Sequence, residues 1–500
     1  MNKPVAAGEM LGHPKGLFLL FGTEMWERMS YYGMRGIFVL YLSSLATATA
    51  MGWDMAYFGI DPLSADAQEA YQKELQANAL NILGLYAMLV YVTPVLGGWM
   101  ADNVWGQRKS IIFGGVVMML GQFALGTPHS VVAGFEVEMM WLGLALLIIG
   151  NGFFKPNIST MVGDLYEEGD KRRDAAFTIF YMGINTGSIL GYFVVGTVGE
   201  KFDYQYGFIV AGIGMLLGVL MQLALSNKYL GNVGVEPSAK QTKGLDQAAV
   251  NKPLTPEERD RVKVILIMSF FTIVFWAGFE QAAGSMNLFA KYKTDLVFFG
   301  WEMPASWLQA VNPIFIIIMA PMFAAIWLKM GEAEPNSPKK FALGMFFLGL
   351  GFISMVGAAL QIGDDESLKA HVIWLVMAYI FHTMGELCLS PIGLSMVSRL
   401  APLKFTSLLM GMWFLFSGFG NYAAAAIGKQ VGDAGPLSTF GGVAIMAFTA
   451  GICLWLLSDK LVDWMHGAED YVADDLESKI EEEMSVVGTH EGTQEEHVKN

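Results

Sequence analysis

The feature that most constrains this chain is the length of its apolar runs. Several reach the ~18 residues that mark a membrane-spanning helix. Examples are 111–125 extended by its neighbours, and the stretches around 141–150, 262–279 and 314–328. Lipid offers no partner to irregular backbone, and the runs are too long and apolar for barrel strands, so they read as helices. Composition agrees: 54% of the 500 residues are hydrophobic and 15% are charged, against about 25% charged in soluble domains. The 57 Gly fit the same class, because Gly is common in membrane helices. The runs predict an all-α polytopic membrane protein with about twelve helices. They lie near 15–46, 78–101, 108–126, 138–163, 174–199, 206–226, 259–290, 304–329, 339–362, 369–398, 405–432 and 437–465.

Lys and Arg in the loops set the orientation. With both ends cytoplasmic, the cytoplasmic loops and termini hold 22 of the 31. The opposite loops hold six: Lys73, Lys201, Lys291, Lys293, Lys369 and Lys429. The polar segment 227–258, with Pro237, Pro253 and Pro256, divides the chain into six helices and six. The expected organisation is a first bundle over 1–226, a cytoplasmic linker over 227–258 and a second bundle over 259–465. Residues 466–500 hold eleven acids against two bases and read as a solvated, disordered tail. That tail supplies most of the net charge of −15 and argues against nucleic acid as a partner. The first apolar stretch is broken by Glu24, Glu27 and Arg28 and lacks a cleavage pattern, so it reads as a retained helix. The segment 46–77 reads as a long polar loop outside. Two cysteines and seven scattered His suggest neither a disulfide framework nor a metal site.

Charges inside the apolar segments are the candidate functional groups, because each costs at least ~2.5–3.5 kcal/mol at the membrane centre. There are seven: Glu24, Glu27, Arg28, Arg35, Lys155, Glu280 and Glu386. Four negative and three positive groups can pair around one wet cavity, and the carboxylate in excess can be relieved by a proton. Glu24, Arg28, Tyr31 and Arg35 are spaced four, three and four, so they form one stripe, with Glu27 beside it. A purely structural salt-bridge stripe is the competing reading. Lys155 directly precedes Pro156, and Glu386 lies five residues before Pro391. Asn312-Pro313 repeats the theme of a polar group beside a helix breaker. Trp276 precedes Glu280 by four residues and Trp413 precedes Ser417 by four, so each pair shares a face; pocket lining and core packing both remain open. His382, one turn before Glu386, can share its proton or be a satisfied structural His.

These residues spell recognisable motifs. The run from Gly98 through Asp102 and Gly106 to Arg108 and Lys109 resembles the loop motif of the major facilitator superfamily. Its physical sense is a tight turn whose acid and bases lock to neighbouring helix ends in one conformation. Glu24-x-x-Glu27-Arg28-x-x-Tyr31-Tyr32 resembles the helix 1 motif of the proton-dependent oligopeptide transporter family. Phe180-Tyr-Met-Gly-Ile-Asn185-Thr-Gly-Ser188 resembles its helix 5 signature. Gly385-Glu386-Leu-Cys-Leu-Ser390-Pro391 with Gly411-Met-Trp413 resembles its helix 10 and 11 pattern.

The resemblance implies two six-helix bundles of the major facilitator fold and import of di- and tripeptides with protons by alternating access. It implies that Glu24, Glu27 and Arg28 couple protons, and that Lys155 and Glu280 pair across the bundles with Arg35 competing for Glu280. Arg28 and Lys155 would meet the peptide carboxylate and Glu386 the amino group. Tyr31, Tyr32, Tyr91, Asn185, Trp276, Asn312, Trp413 and Ser417 match pocket positions. A zwitterion needs a cationic and an anionic end, and the two halves supply them. No cofactor is implied beyond the proton, and a monomer suffices.

Three departures stand out. Met29 replaces the Phe usual after the Arg. Gly84 stands where many animal members carry a His, so carboxylates should hold the proton. The 227–258 segment is too short and polar for the two extra helices of many bacterial relatives. Absence of a large domain between helices 9 and 10 favours a bacterial inner membrane. A carrier of nitrate, an amino acid-like or a drug-like solute on the same fold is the alternative cargo, although Glu386 favours an amine. A membrane enzyme or receptor would need a nucleophile, a metal site or a sizeable external domain, and none is visible in the sequence.

Overall fold

A computed structural model describes residues 8–167, 170, 172–237, 253–363, 365, 368–402 and 405–468. Most of the tail at 466–500 and the centre of the 227–258 linker lie outside them. The helices of membrane length are α1 (Lys15–Leu42), α2 (Ala67–Met100), α3 (Gln107–Leu125), α4 (Glu136–Asp164), α5 (Arg172–Leu190), α6 (Tyr204–Tyr229), α7 (Pro256–Phe279), α8 (Val311–Met330), α9 (Ser337–Ile362) and α10 (Ile373–Leu400). The last stretch, Thr406–Asp463, has 58 residues, ~87 Å at 1.5 Å each against a hydrocarbon core of ~30 Å. It turns at Gly435, where φ is 79°, a conformation that favours glycine, and Pro436 follows. Its limbs are α11 before Gly435 and α12 after it.

Ten stretches among the described residues meet simple length and hydropathy criteria for crossing a membrane. α1 falls outside them because of its five charges, and α11 and α12 count there as one. With α1 restored and the last stretch divided, the spans number twelve, as the sequence suggests. The expected absence of two further spans falls on the linker, whose residues 238–252 lie outside the described ones.

One boundary moves. α2 starts at Ala67 rather than near 78. Its first turns are polar, with a Glu69–Lys73 pair at 2.7 Å one turn apart, so helix continues beyond the apolar run. The segment before it contains a short helix, Leu45–Ala50, capped by the Ser44 side chain. The Tyr71 hydroxyl donates to the Trp53 carbonyl at 2.7 Å and pins this segment to α2.

In the first six helices α1 packs on α5 and α6, α3 on α4 and α6, and α2 on α4. In the last six, α9 packs on α10 and on the α11–α12 stretch, and α8 packs on α10. Between the sets, α2 meets the α11 limb and α5 meets α8. The α2–α11 contact is close because small residues face each other: a Cβ on Gly84 would lie 2.3 Å from that of Ala425. One face of the molecule, the near face, carries the α2–α3 turn and both described chain ends. The other is the far face.

Candidate functional site

The α1 stripe folds as its spacing requires. Glu24, Glu27 and Arg28 are 2%, 0% and 3% exposed, and such burial demands pairing. Arg28 Nε lies 2.8 Å from Glu24 Oε1 and 2.5 Å from Glu27 Oε2. The guanidinium also sits 5.3 Å over the Tyr31 ring. One and two turns on, Tyr31, Tyr32 and Arg35 reach a central cavity of ≈ 730 Å³ counted to its mouth. Glu24 and Glu27 are not among its lining residues; they stand behind Arg28.

Lys155 enters from α4. The helix runs through Pro156, although the ring removes the N–H that the Gly152 carbonyl would otherwise receive. α2 closes onto that carbonyl: a Cβ on Gly97 would lie 2.0 Å from it, so only glycine fits. The prolines beside the charges therefore permit close helix crossings rather than breaks; α10 likewise continues through Pro391. Lys155 Nζ lies 4.9 Å from the centre of the Tyr91 ring. The expected Lys155–Glu280 pair is not formed. Glu280 is paired with Arg35, the competitor named above, which joins α1 to the end of α7.

The second half supplies Trp276, Phe279, Asn312, Tyr379 and Glu386 to the cavity wall. Glu386 accepts from Asn312 Nδ2 at 2.9 Å, and the same amide reaches Thr383 Oγ1 at 3.1 Å. The Glu386 carboxylate is thus held by a neutral group. Of the thirteen residues the sequence proposed for substrate, ten line the cavity: Arg28, Tyr31, Tyr32, Arg35, Tyr91, Lys155, Trp276, Glu280, Asn312 and Glu386. Asn185, Trp413 and Ser417 do not. Asn185 Nδ2 and Ser417 Oγ donate to their own helices, at Tyr181 O and Trp413 O. Trp413 packs on Phe341, ring centres 6.0 Å apart, and over Gly393. Sequence reasoning missed Tyr192, Phe279, Gln309 and Tyr379. Periodicity could have found two of them, since Tyr379 precedes Glu386 by seven and Gln309 precedes Asn312 by three. His382 touches the cavity edge, but its ring sits between Phe279 and Phe352 and against Gly351 of α9.

Polar contacts between the halves gather on the far side of the cavity. Gln309 and Asn287 donate to the Gly36 carbonyl. Farther out, the buried Glu200 carboxylate accepts from Lys291 Nζ at 3.1 Å, from the amides of Ala305 and Ser306 at 3.1 and 2.9 Å, and from Ser306 Oγ at 2.7 Å. Trp307 Nε1 donates to Thr197 at 2.9 Å. At the near face, Arg108 holds the end of α6. It donates to Asn227 Oδ1 at 3.1 Å and to the carbonyls of Gly231 and Val233 at 2.7 and 3.0 Å. Gly106 beside it has φ of 80° and lies under the Val235 carbonyl. Arg108 and Gly106 of this turn thus dock on the end of α6 and the segment after it, within the first half.

Among the described residues, no cluster of three or more His, Cys, Asp or Glu could hold a metal ion.

A known family and several solved structures match this chain over most of its length. The model described as the POT family matches residues 108–240 and 226–435. The uncharacterized transporter YclF of Bacillus subtilis (strain 168) is 35% identical, over 93% of this chain and 98% of its own. The chain belongs to the POT family. A di-/tripeptide transporter of Lactococcus lactis subsp. cremoris is 32% identical over 91% of this chain and 97% of its own. A mutant of a POT-family peptide transporter in complex with alafosfalin superposes with a TM-score of 0.78 at 34% identity, covering 92% of this chain and 98% of that one. The sulfate complex of such a mutant gives 0.79 at 33%, covering 92% and 97%. As a POT-family member the chain is a transporter with the major facilitator arrangement.

Proposed function

We propose that this chain is a proton-coupled symporter that imports di- and tripeptides by alternating access. The observation that carries the reading is the polarity of the cavity. Arg28 and Lys155 stand on the first half, and Glu386, held among the described residues by a neutral amide, stands on the second. A peptide zwitterion bridges them, carboxylate to the cations and amino group to Glu386, and so binds both halves at once. The relatives named as di-/tripeptide transporters support the cargo.

In this reading Glu24, Glu27 and Arg28 carry the proton, while Lys155 and Arg35 exchange for Glu280 as the halves rock. Tyr31, Tyr32, Tyr91, Trp276 and Asn312 shape the pocket, with Asn185, Trp413 and Ser417 supporting it from behind. The bundles are 1–226 and 259–465, joined by 227–258, and 466–500 is a solvated tail. The near face is cytoplasmic, in a bacterial inner membrane, following the Lys and Arg distribution. The bolted far side then makes this a conformation closed to the outside. The proton is the only coupling species, lipid the surroundings, and a monomer suffices.

Dialanine uptake into proteoliposomes tests this. One proton contributes ~2.3 kcal/mol per 100 mV and ~1.4 kcal/mol per pH unit. A neutral peptide carried with one proton accumulates roughly 500-fold at 100 mV and one pH unit by the same constants. Uptake indifferent to a proton uncoupler, or competed by nitrate but not by dipeptides, sinks the proposal.

A further inference from the structure

α1 carries a second polar stripe that faces away from the cavity. Thr23, Glu27 and Ser30 are spaced four and three and share a face turned into the interior of the first six helices. Two glutamines meet this stripe one turn either side of Glu27. Gln222 of α6 donates Nε2 to Thr23 Oγ1 at 3.1 Å. Gln122 of α3 donates Nε2 to Ser30 Oγ at 3.2 Å and to the Ser30 carbonyl at 3.3 Å. The partners orient both amides. The Thr23 hydroxyl donates to Leu19 O at 2.8 Å, so its oxygen can only accept from Gln222. The Ser30 carbonyl can only accept from Gln122.

Each glutamine therefore leaves its Oε1 buried and without a partner among the described residues. Glu27 Oε1 and Glu24 Oε2 are in the same condition. α4 adds Asn151, also buried, with neither amide atom partnered, one turn before Lys155 on the same face. The unpartnered donors beside them, Arg28 Nη2 and Asn151 Nδ2, are fewer than these acceptors, and a protonated carboxyl supplies one more.

We infer that Gln122, Gln222 and Asn151 are positioning residues that hold the proton-loaded carboxyl of Glu27. The ionised carboxylate is held by Arg28. The neutral form loses most of that attraction and needs a neutral acceptor instead. The ionisable groups around Glu27 are Glu24, Arg28 and Tyr31 on its own helix, Tyr86 from α2 and Lys155 from α4. The charged residues of α3 and α6, namely Arg108, Lys109 and Lys228, sit at the near ends, as do Arg172 and Arg173 of α5. At the level of Glu27, α3 and α6 thus bring amides.

The inference rests on the proposed coupling role of Glu27, and the experiment separates the two. Gln122→Met, Gln222→Met and Asn151→Leu are each compared with wild type and Glu27→Gln in proteoliposomes. Proton-driven uptake is followed against pH, and peptide counterflow is followed in parallel. Losing an acceptor that only the protonated form uses means more acid is needed to load it. A carboxyl has one O–H and so donates to one of these acceptors at a time. The variant that removes that acceptor should move the pH midpoint about 0.4–1 unit toward acid, the worth of one neutral hydrogen bond, with counterflow retained. A midpoint unmoved in all three variants, or equal loss of uptake and counterflow, overturns the positioning role. Concentrative uptake surviving in Glu27→Gln overturns the coupling role itself. Infrared difference spectra of purified protein give a second readout that does not need transport. The protonated-carboxyl band that Glu27→Gln removes should rise in frequency in that same variant, and a band unshifted in all three also overturns the role.

Discussion

The two halves bring different chemistry to the same cavity. The first half is dense in charge, and much of it is compensated internally: Arg28 is shared between Glu24 and Glu27 on one helix. Among the described residues, the second half contributes two carboxylates and no cation to the wall. One of them, Glu280, reaches across to pair with Arg35. The other, Glu386, has an amide for a partner. In the proposed function the difference separates proton work from cargo work. A carboxylate beside a fixed arginine can exchange its proton without moving, whereas a carboxylate held by a neutral amide is open to a new cation. It also makes closure of the far side an electrostatic event, because the second half cannot neutralise Glu280 alone.

The strongest way to break this comparison is at the first half. Glu27→Gln or Glu24→Gln should reduce the roughly 500-fold accumulation expected from one proton to none, while counterflow continues, because exchange needs no net proton movement. Variants that still concentrate dialanine would show that coupling does not lie in the α1 carboxylates.

The bridge between the halves comes next. Glu280→Gln leaves Arg35 buried and unpaired, at a cost on the order of 3–5 kcal/mol, read as a lower unfolding temperature in detergent. In the far-closed conformation the loss should be relieved by a second change at Arg35 and much less by Lys155→Ala. Relief by Lys155→Ala alone would mean that the resting pair is Lys155–Glu280. Glu386→Gln sharpens the cargo assignment. Losing a charge-assisted hydrogen bond of ~1.5–3 kcal/mol should weaken dipeptide binding roughly 10- to 150-fold by the same value. Peptides with a blocked amino group should bind the wild type poorly and lose little more. Equal loss for both kinds would make Glu386 a structural charge.

Much of this was legible in the sequence, because charge is so rare in it. Apolar length announced twelve helices, and the four-three-four spacing placed Arg28, Tyr31 and Arg35 on the cavity stripe before any coordinates. Sharing a face does not say which face. Trp413 and Ser417 lie together as their spacing requires, yet the indole fills the space over Gly393 that a side chain would occupy. Tyr192 was hidden for a related reason: it falls in the Gly191–Val195 turn of π-helix, where a 3.6-residue period loses phase. The α2 start was misplaced because a polar helix outside lipid looks like loop to a hydropathy reading. Glu200 was missed entirely. Near the end of an apolar segment it reads as a solvated charge, and nothing local reveals that the backbone amides of Ala305 and Ser306 will come to meet it.

Glu200 therefore offers the finest test. Here the first half supplies the charge and the second supplies chiefly neutral donors, two of them backbone amides at the start of the short Ala305–Ala310 helix. A carboxylate there also meets the positive end of that helix. Glu200→Gln keeps the shape and one acceptor oxygen but removes the charge from contacts that exist only while the far side is shut. Only contacts that differ between states shift their balance. Lys291 is partly exposed, so its share is small. The amide contacts should weaken by ~1 kcal/mol, the difference between charged and neutral hydrogen bonds. That is about fivefold more of the far-open state by the usual conversion. A cysteine at Ala283 on the cavity wall, in a background with Cys388 and Cys453 replaced, reports it through labelling by an impermeant thiol reagent added outside. Labelling about five times faster than in the Glu200 parent is expected. An unchanged rate, with wild-type transport, would mean that the Arg35–Glu280 bridge alone closes the far side and that the outer carboxylate only follows it.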